Sequence, residues 1–220
     1  MNAGTSSPSK NIDRLLSPVR SKTVMKFIKD VETVRERARR HIDRGAVTPS
    51  LKIDAKEVCT ILNEALATEL VCILRYQHHY YMATGMHGPA VKAEMKEHWD
   101  EEQRHADILA ERIRQLGGVP DFSPKGLTKS HTEYVAGHDL ADMVREDLIA
   151  ERIVCQTYAE IIRFLSDKDP TSRTLMEEIL RNEEEHADDL ADLLFALDPS
   201  TGKAEGDTPS DGKQRAKKAE

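Results

Sequence analysis

From Asp54 onward, apolar residues recur at three- and four-residue intervals in four long stretches, and no stretch shows the alternation of a strand. The first opens at Asp54, a helix N-cap with Glu57 three residues on, and runs to about Ala83 with Gly85 as its stop. The second opens near Pro89 and ends before Gly117-Gly118. The third spans from near Asp139 to near Ser166. In the fourth, Asp169 caps a helix that starts on Pro170 and continues to Leu197, before Pro199. Ahead of these, residues 20–44 read as a charged helix. It carries a narrow apolar stripe of Val24, Phe27, Ile28, Val31 and Val34, is stopped by Gly45, and is followed by a linker at Pro49. Residues 1–12 and 201–220 have the composition of disordered tails.

The connections give a topology. Helices one and two are joined by a short turn, as are three and four, so each pair is an antiparallel hairpin. About twenty residues, 117–138, join the hairpins. At ~3.3 Å per extended residue they can run the length of a helix pair. The expectation is an all-α four-helix bundle with one long crossover between helices 2 and 3, occupying 54–198. A basic, partly helical N-terminal extension (1–53) precedes it and a polar tail (199–220) follows.

Charges break the apolar pattern at fixed places. Glu102 lies midway between Met95 and Leu109 at heptad spacing, Glu69 between Leu62 and Tyr76, Glu151 between Val144 and Tyr158, and Glu183 between Met176 and Leu190. His105 and His186 follow Glu102 and Glu183 by three residues, one turn along the same face. The two halves repeat: Glu69 precedes Glu102 by 33 residues, Glu151 precedes Glu183 by 32, and both Glu69–Glu151 and Tyr76–Tyr158 are separated by 82. A pseudo-twofold axis would bring all six side chains to one level. A lone Glu-x-x-His is usually a surface pair. Two of them, each with a partner Glu one helix earlier, point to a site. Four buried carboxylates cannot stand ionised together without a counter-charge. Two divalent cations supply it, and a donor set rich in oxygen with one imidazole per ion suits iron or manganese better than zinc. Glu101, one position round the helix, is expected to face away.

Composition narrows the setting. The net charge of −7 is uneven: residues 1–44 carry +6 and 201–220 carry +1, leaving −14 for 45–200. The basic arm has only Phe27 as an aromatic and no nucleic-acid motif, which favours a solvated arm aiding assembly over DNA contact. No apolar run is long enough to span a membrane, and no secretory signal stands at the N-terminus, so a cytoplasmic setting is expected. Cys59, Cys72 and Cys155 form no CxxC, which excludes a disulfide scaffold, a zinc ribbon and a rubredoxin-type iron site. Cys72 and Cys155, one turn beyond Glu69 and Glu151, would stand ~10 Å apart along antiparallel helices, too far for a disulfide. His78, His79 and His98 read as packing residues, with His98 one heptad before His105 and so near an ion entry path.

The segments "LNEALATELVCILRY", "DEEQRHADILAERI", "EDLIAER" and "EILRNEEEHADDL" resemble the four helices of bacterioferritin, over about 54–197. The resemblance implies a ferroxidase whose ligands are Glu69, Glu102, His105, Glu151, Glu183 and His186, with Glu102 and Glu183 bridging or flanking both irons. It also implies that Tyr76 stands beside the centre; packing in the core is its other reading. Two irons per subunit, with manganese as the alternative, would be handled with O2 or H2O2. Gln103 occupies the place of the bacterioferritin haem methionine, so no haem of that kind is expected. The basic arm and the absence of a fifth helix resemble Dps instead, the DNA-shielding cage. Together these imply a homo-oligomeric cage of the twelve- or twenty-four-subunit type. Three function classes follow: an iron-storing and iron-detoxifying ferroxidase, a non-storing dimetal enzyme of the manganese catalase or peroxidase type, and a Dps-like DNA protector.

Overall fold

A computed structural model describes residues 31–201. They fall in two compact units divided between Ile42 and Asp43. The first contains α1, described over Val31–Ala38, with no buried residue there. The helix expected over 20–44 therefore stops six residues early: His41 adopts a left-handed φ of 54°, which a continuing helix does not tolerate. Val24, Phe27 and Ile28 lie outside the described residues, as do residues 1–12 and 202–220, and Val31 and Val34 are exposed.

The second unit holds four long helices: α2 (Ala55–Met82), α3 (Gly88–Gln115), α4 (Leu140–Leu165) and α5 (Pro170–Leu197). Their starts follow the capping residues. Asp54 accepts from the Lys56 amide, Asp139 from that of Asp142, and Asp169 from that of Ser172. Asp169 is more than a cap. Its carboxylate also takes both hydrogen bonds from Arg112 Nη2 (2.9 and 3.1 Å), tying the start of α5 to the end of α3. Gly85 and Gly117, just past α2 and α3, take φ values of 84° and 81°.

α2 packs along α3 and α4 along α5, giving the two hairpins. Their apolar stripes meet in one core, where Leu62, Tyr76, Met95, Leu109, Val144, Tyr158, Met176 and Leu190 are fully buried. These are the heptad neighbours of the four misplaced carboxylates.

The crossover between α3 and α4 contains a single 3-10 turn, Gly126–Lys129, and is stitched along α2. Asn63 bonds the Val119 carbonyl and the Asp121 amide. Thr68 Oγ1 accepts from the His131 amide, Arg75 donates to the Glu133 carbonyl, and His79 Nε2 lies 3.2 Å from the Val135 carbonyl. From Asn63 to His79 that is about 24 Å of helix, so the segment is anchored along more than half the length of α2. Among the described residues no helix is long and apolar enough to cross a membrane.

Candidate metal centre

Halfway along the bundle, each helix turns one carboxylate inward. Glu69, Glu102, Glu151 and Glu183 are all at most 1% exposed, and His105 and His186 are buried beside them. They form two groups whose ligand atoms lie within 4.8 Å of one another: Glu69, Glu102, His105 and Glu183, and Glu102, Glu151, Glu183 and His186. Glu102 and Glu183 belong to both.

The oxygens divide between the groups. His105 Nδ1 is 3.4 Å from Glu102 Oε2 and 3.0 Å from Glu183 Oε1. His186 Nδ1 is 3.5 Å from Glu102 Oε1 and 3.2 Å from Glu183 Oε2. Each shared carboxylate thus offers one oxygen to each side, while Glu69 and Glu151 serve one side only. This is the disposition needed to hold two ions with two bridging carboxylates.

Many of these donor atoms are unsatisfied. Glu69 Oε2, both oxygens of Glu102, His105 Nδ1, Glu151 Oε2 and Glu183 Oε1 are buried without a hydrogen-bond partner. Buried polar atoms rarely stay so, and this many at one place fits a cation site. Protonation reflects the same crowding. Burial and the charge of Glu102 push Glu69 up to about 8. Burial, then Glu183 and Glu102, push Glu151 well above the usual carboxylate range. Burial and the charge of Glu183 also lift Glu102, but its contacts with Glu69, His105 and His186 outweigh them and leave the group below its ordinary value. Burial works against charging His186, yet its contacts with Glu102 and Glu183 raise it to about 12; His105 is raised in the same way. The imidazoles hold protons where cations would sit.

Neighbouring groups orient the ligands. Tyr76 donates to Glu151 Oε1 at 2.5 Å, and Tyr158 donates to Glu69 Oε1. Each tyrosine thereby fixes a ligand of the other hairpin. Glu101 does not face away as expected. It is half-buried, accepts from His186 Nε2 at 2.8 Å, and is held on its other oxygen by Arg104. With Nε2 committed to Glu101, Nδ1 of His186 is the nitrogen left for an ion. A small cavity of about 100 Å³ between α3 and α5, lined by Glu101, Arg104, His105, Glu178 and Asn182 among others, reaches His105 from outside.

All six predicted ligands and Tyr76 meet here. His79 and His78 do not. His79 is buried between Asp147 Oδ2 (2.7 Å) and the Val135 carbonyl, and His78 packs edgewise on His79 and Tyr134. His98 is buried and stacks on His186 with ring centroids 4.1 Å apart; burial and the His186 charge hold its pKa down to about 3. Sequence reasoning missed Glu101 and the part played by Tyr158. The 82-residue spacing shared by the tyrosines and the α2 and α4 glutamates was the signal for the latter. Cys72 is buried against Arg75 and Thr132, and all three cysteines are free. Gln103 is exposed and bonds Asp107.

The profile of the Ferritin-like domain matches residues 59–198. A bacterioferritin of Mycobacterium bovis is 31% identical over 143 residues, which are 64% of this chain and 86% of the relative. Among solved structures, the chain is similar to the bacterioferritin-related protein of Bacteroides fragilis, described as a dodecameric thioferritin. The TM-score is 0.64 at 32% identity, over 68% of this chain and 90% of that one. It is also similar to the bacterioferritin of Desulfovibrio desulfuricans, whose diiron site has been described in different catalytic states. Here the TM-score is 0.59 at 25% identity, over 76% of this chain and 96% of that one.

Proposed function

From the premise that this chain belongs to the ferritin-like family, we propose that it is a ferroxidase. Fe2+ is its substrate, oxidised to Fe3+ at a dimetal centre of Glu69, Glu102, His105, Glu151, Glu183 and His186 within the domain 54–198. Residues 1–53 and 199–220 are appendages to it. The observation that carries this reading is the split of Glu102 and Glu183, each with one oxygen on either side, among buried side chains of which six atoms have no hydrogen-bond partner.

Two Fe2+ held together can give up one electron each to a single two-electron acceptor. With H2O2 that step consumes two protons and leaves two waters; with O2 it consumes two protons and leaves H2O2. The chain's part is to present four carboxylates and Nδ1 of both imidazoles, whose protons give way to the incoming cations, and to admit the oxidant through a narrow opening. Iron storage and detoxification in a homo-oligomeric cage follow from the same reading. They are supported by the bacterioferritin relatives and by the dodecamer described for the Bacteroides fragilis protein.

The test is aerobic addition of Fe2+ while ferric absorbance is followed. Wild type should oxidise iron in a fast phase that Glu102→Ala lacks; equal rates would sink the proposal. A second reading has support in the donor set itself, which suits manganese as well as iron. It is a non-storing dimetal enzyme of the manganese catalase or peroxidase type. Native mass with metal content per subunit separates the two: a large multimer carrying excess iron supports the first, a small oligomer with two manganese per chain the second.

A further inference from the structure

Apart from the six ligands, Glu94 and His98 on α3 and Asp189 on α5 form another group of metal-binding side chains whose donor atoms lie within 4.8 Å of one another. His98 is the buried member, 1% exposed. Its Nδ1 lies 3.3 Å from the Tyr76 hydroxyl. Nδ1 thus faces the Tyr76 hydroxyl on the side of the dimetal centre, and Nε2 is the nitrogen on the far side of the ring.

Nε2 points at Glu94 Oε1, 3.2 Å away, and toward Asp189 Oδ2 at 4.0 Å. One buried imidazole nitrogen and two carboxylate oxygens thus converge on one place, with the donor types that hold a divalent first-row ion. The spacing suits one: donors each about 2.0–2.2 Å from a common ion stand roughly 3–4 Å apart. The Asp189 side chain is 53% exposed and that of Glu94 28%, so the place opens to water, which can fill the remaining positions of the ion.

We propose that Glu94, His98 and Asp189 form a third seat for a divalent first-row cation, on the solvent side of the dimetal centre. The inference rests on the proposed dimetal centre, because staging needs a centre to deliver to. The seat is separated from that centre by the stacked rings of His98 and His186, and it stages Fe2+ one ring away from the ligands that oxidise it.

Co2+, which air does not oxidise, is the probe. Crystals of the full chain grown with Co2+ should show three anomalous peaks per chain at the cobalt edge, two among the six ligands and one between Glu94, His98 and Asp189. Glu94→Gln/Asp189→Asn, changed at partly exposed positions, should keep two. Equilibrium dialysis should fall from three Co2+ per chain to two. Two filled positions in wild type, with the third empty, would overturn the seat and leave the dimetal reading standing. A filled third seat beside an empty centre would do the reverse, and no cobalt at either would overturn both. Staging has its own readout. In stopped flow the double variant should oxidise Fe2+ several-fold more slowly at subsaturating iron and match wild type at saturation. Equal rates throughout, or a defect that persists at saturation, would refute it.

Discussion

His186 gives its Nε2 hydrogen to Glu101 at 2.8 Å and so turns Nδ1 toward Glu102 and Glu183. Glu101 is itself fixed by Arg104, at 2.6 Å. Partners of this kind typically govern metal affinity by 10–100-fold. Glu101→Ala should therefore weaken Mn2+ binding by about 10-fold or more while leaving all six ligands in place. Glu101→Gln keeps an acceptor and should recover most of the loss. Calorimetric titration of the three proteins is the check, and equal affinities would remove Glu101 from the account.

Stability of the metal-free protein should fall as pH rises. Glu69 ionises at about 8 in the fold against an ordinary 4.5, and His186 loses its proton at about 12 against 6.5. Glu151 and His105 are raised in the same sense. Over the interval between each pair of values the folded chain holds a proton that the unfolded chain has released, so unfolding is favoured by about 1.4 kcal/mol per pH unit for each such proton. Glu102 acts oppositely, but only below the ordinary carboxylate value. Melting temperature should drop from about pH 5 to about pH 8 without metal. Added Mn2+ should flatten or reverse the trend, since the ion needs deprotonated ligands. Scanning calorimetry with and without Mn2+ tests both halves.

Asp147 is fully buried between Arg75 and His79, with Nε of Arg75 at 2.7 Å and Nδ1 of His79 at 2.7 Å. Asp147→Ala would strand a buried guanidinium and should cost about 3–5 kcal/mol in urea denaturation. It should also loosen residues 133–135, whose carbonyls Arg75 and His79 hold. Faster hydrogen exchange in the crossover would report that loosening; an unchanged midpoint would contradict the role given to Asp147.

Tyr158→Phe and Tyr76→Phe each remove one hydroxyl from a ligand carboxylate without opening a large cavity. Both should weaken metal binding, because Glu69 and Glu151 lose the bond that orients them. The Tyr76 variant should also disturb the third cation, since His98 would lose the hydroxyl that faces its Nδ1. Cobalt titration of the two variants distinguishes them: Tyr158→Phe should spare the third equivalent, and Tyr76→Phe should lose it.

Much of this was legible from periodicity. The caps at Asp54, Asp139 and Asp169, the glycine stops and the 33- and 32-residue spacings placed four helices and put six ligands at one level. Glu101 was not legible. A single helix shows which face is apolar, but not how far its neighbour is rotated, and it is the seam between α3 and α5 that brings His186 Nε2 to Glu101. The Arg75–Asp147 pair was hidden for a related reason. Two charges 72 residues apart look like ordinary surface residues until the hairpins are docked. At the N-terminal side, the stripe suggested a helix reaching residue 44, whereas α1 ends at Ala38, because no side-chain pattern announces the left-handed turn at His41.

The crossed tyrosines have a consequence for the chain as a whole. A protein cut within 117–138 would yield two hairpins, and neither would own a working half. The first would keep Glu69, Glu102 and His105 but lack the hydroxyl that steadies Glu69, and the second would lack the one that steadies Glu151. The fragments would need each other for orientation as well as for ligands. Metal would then act as the adhesive between them, turning a folding problem into a binding one whose strength depends on how much cation is supplied.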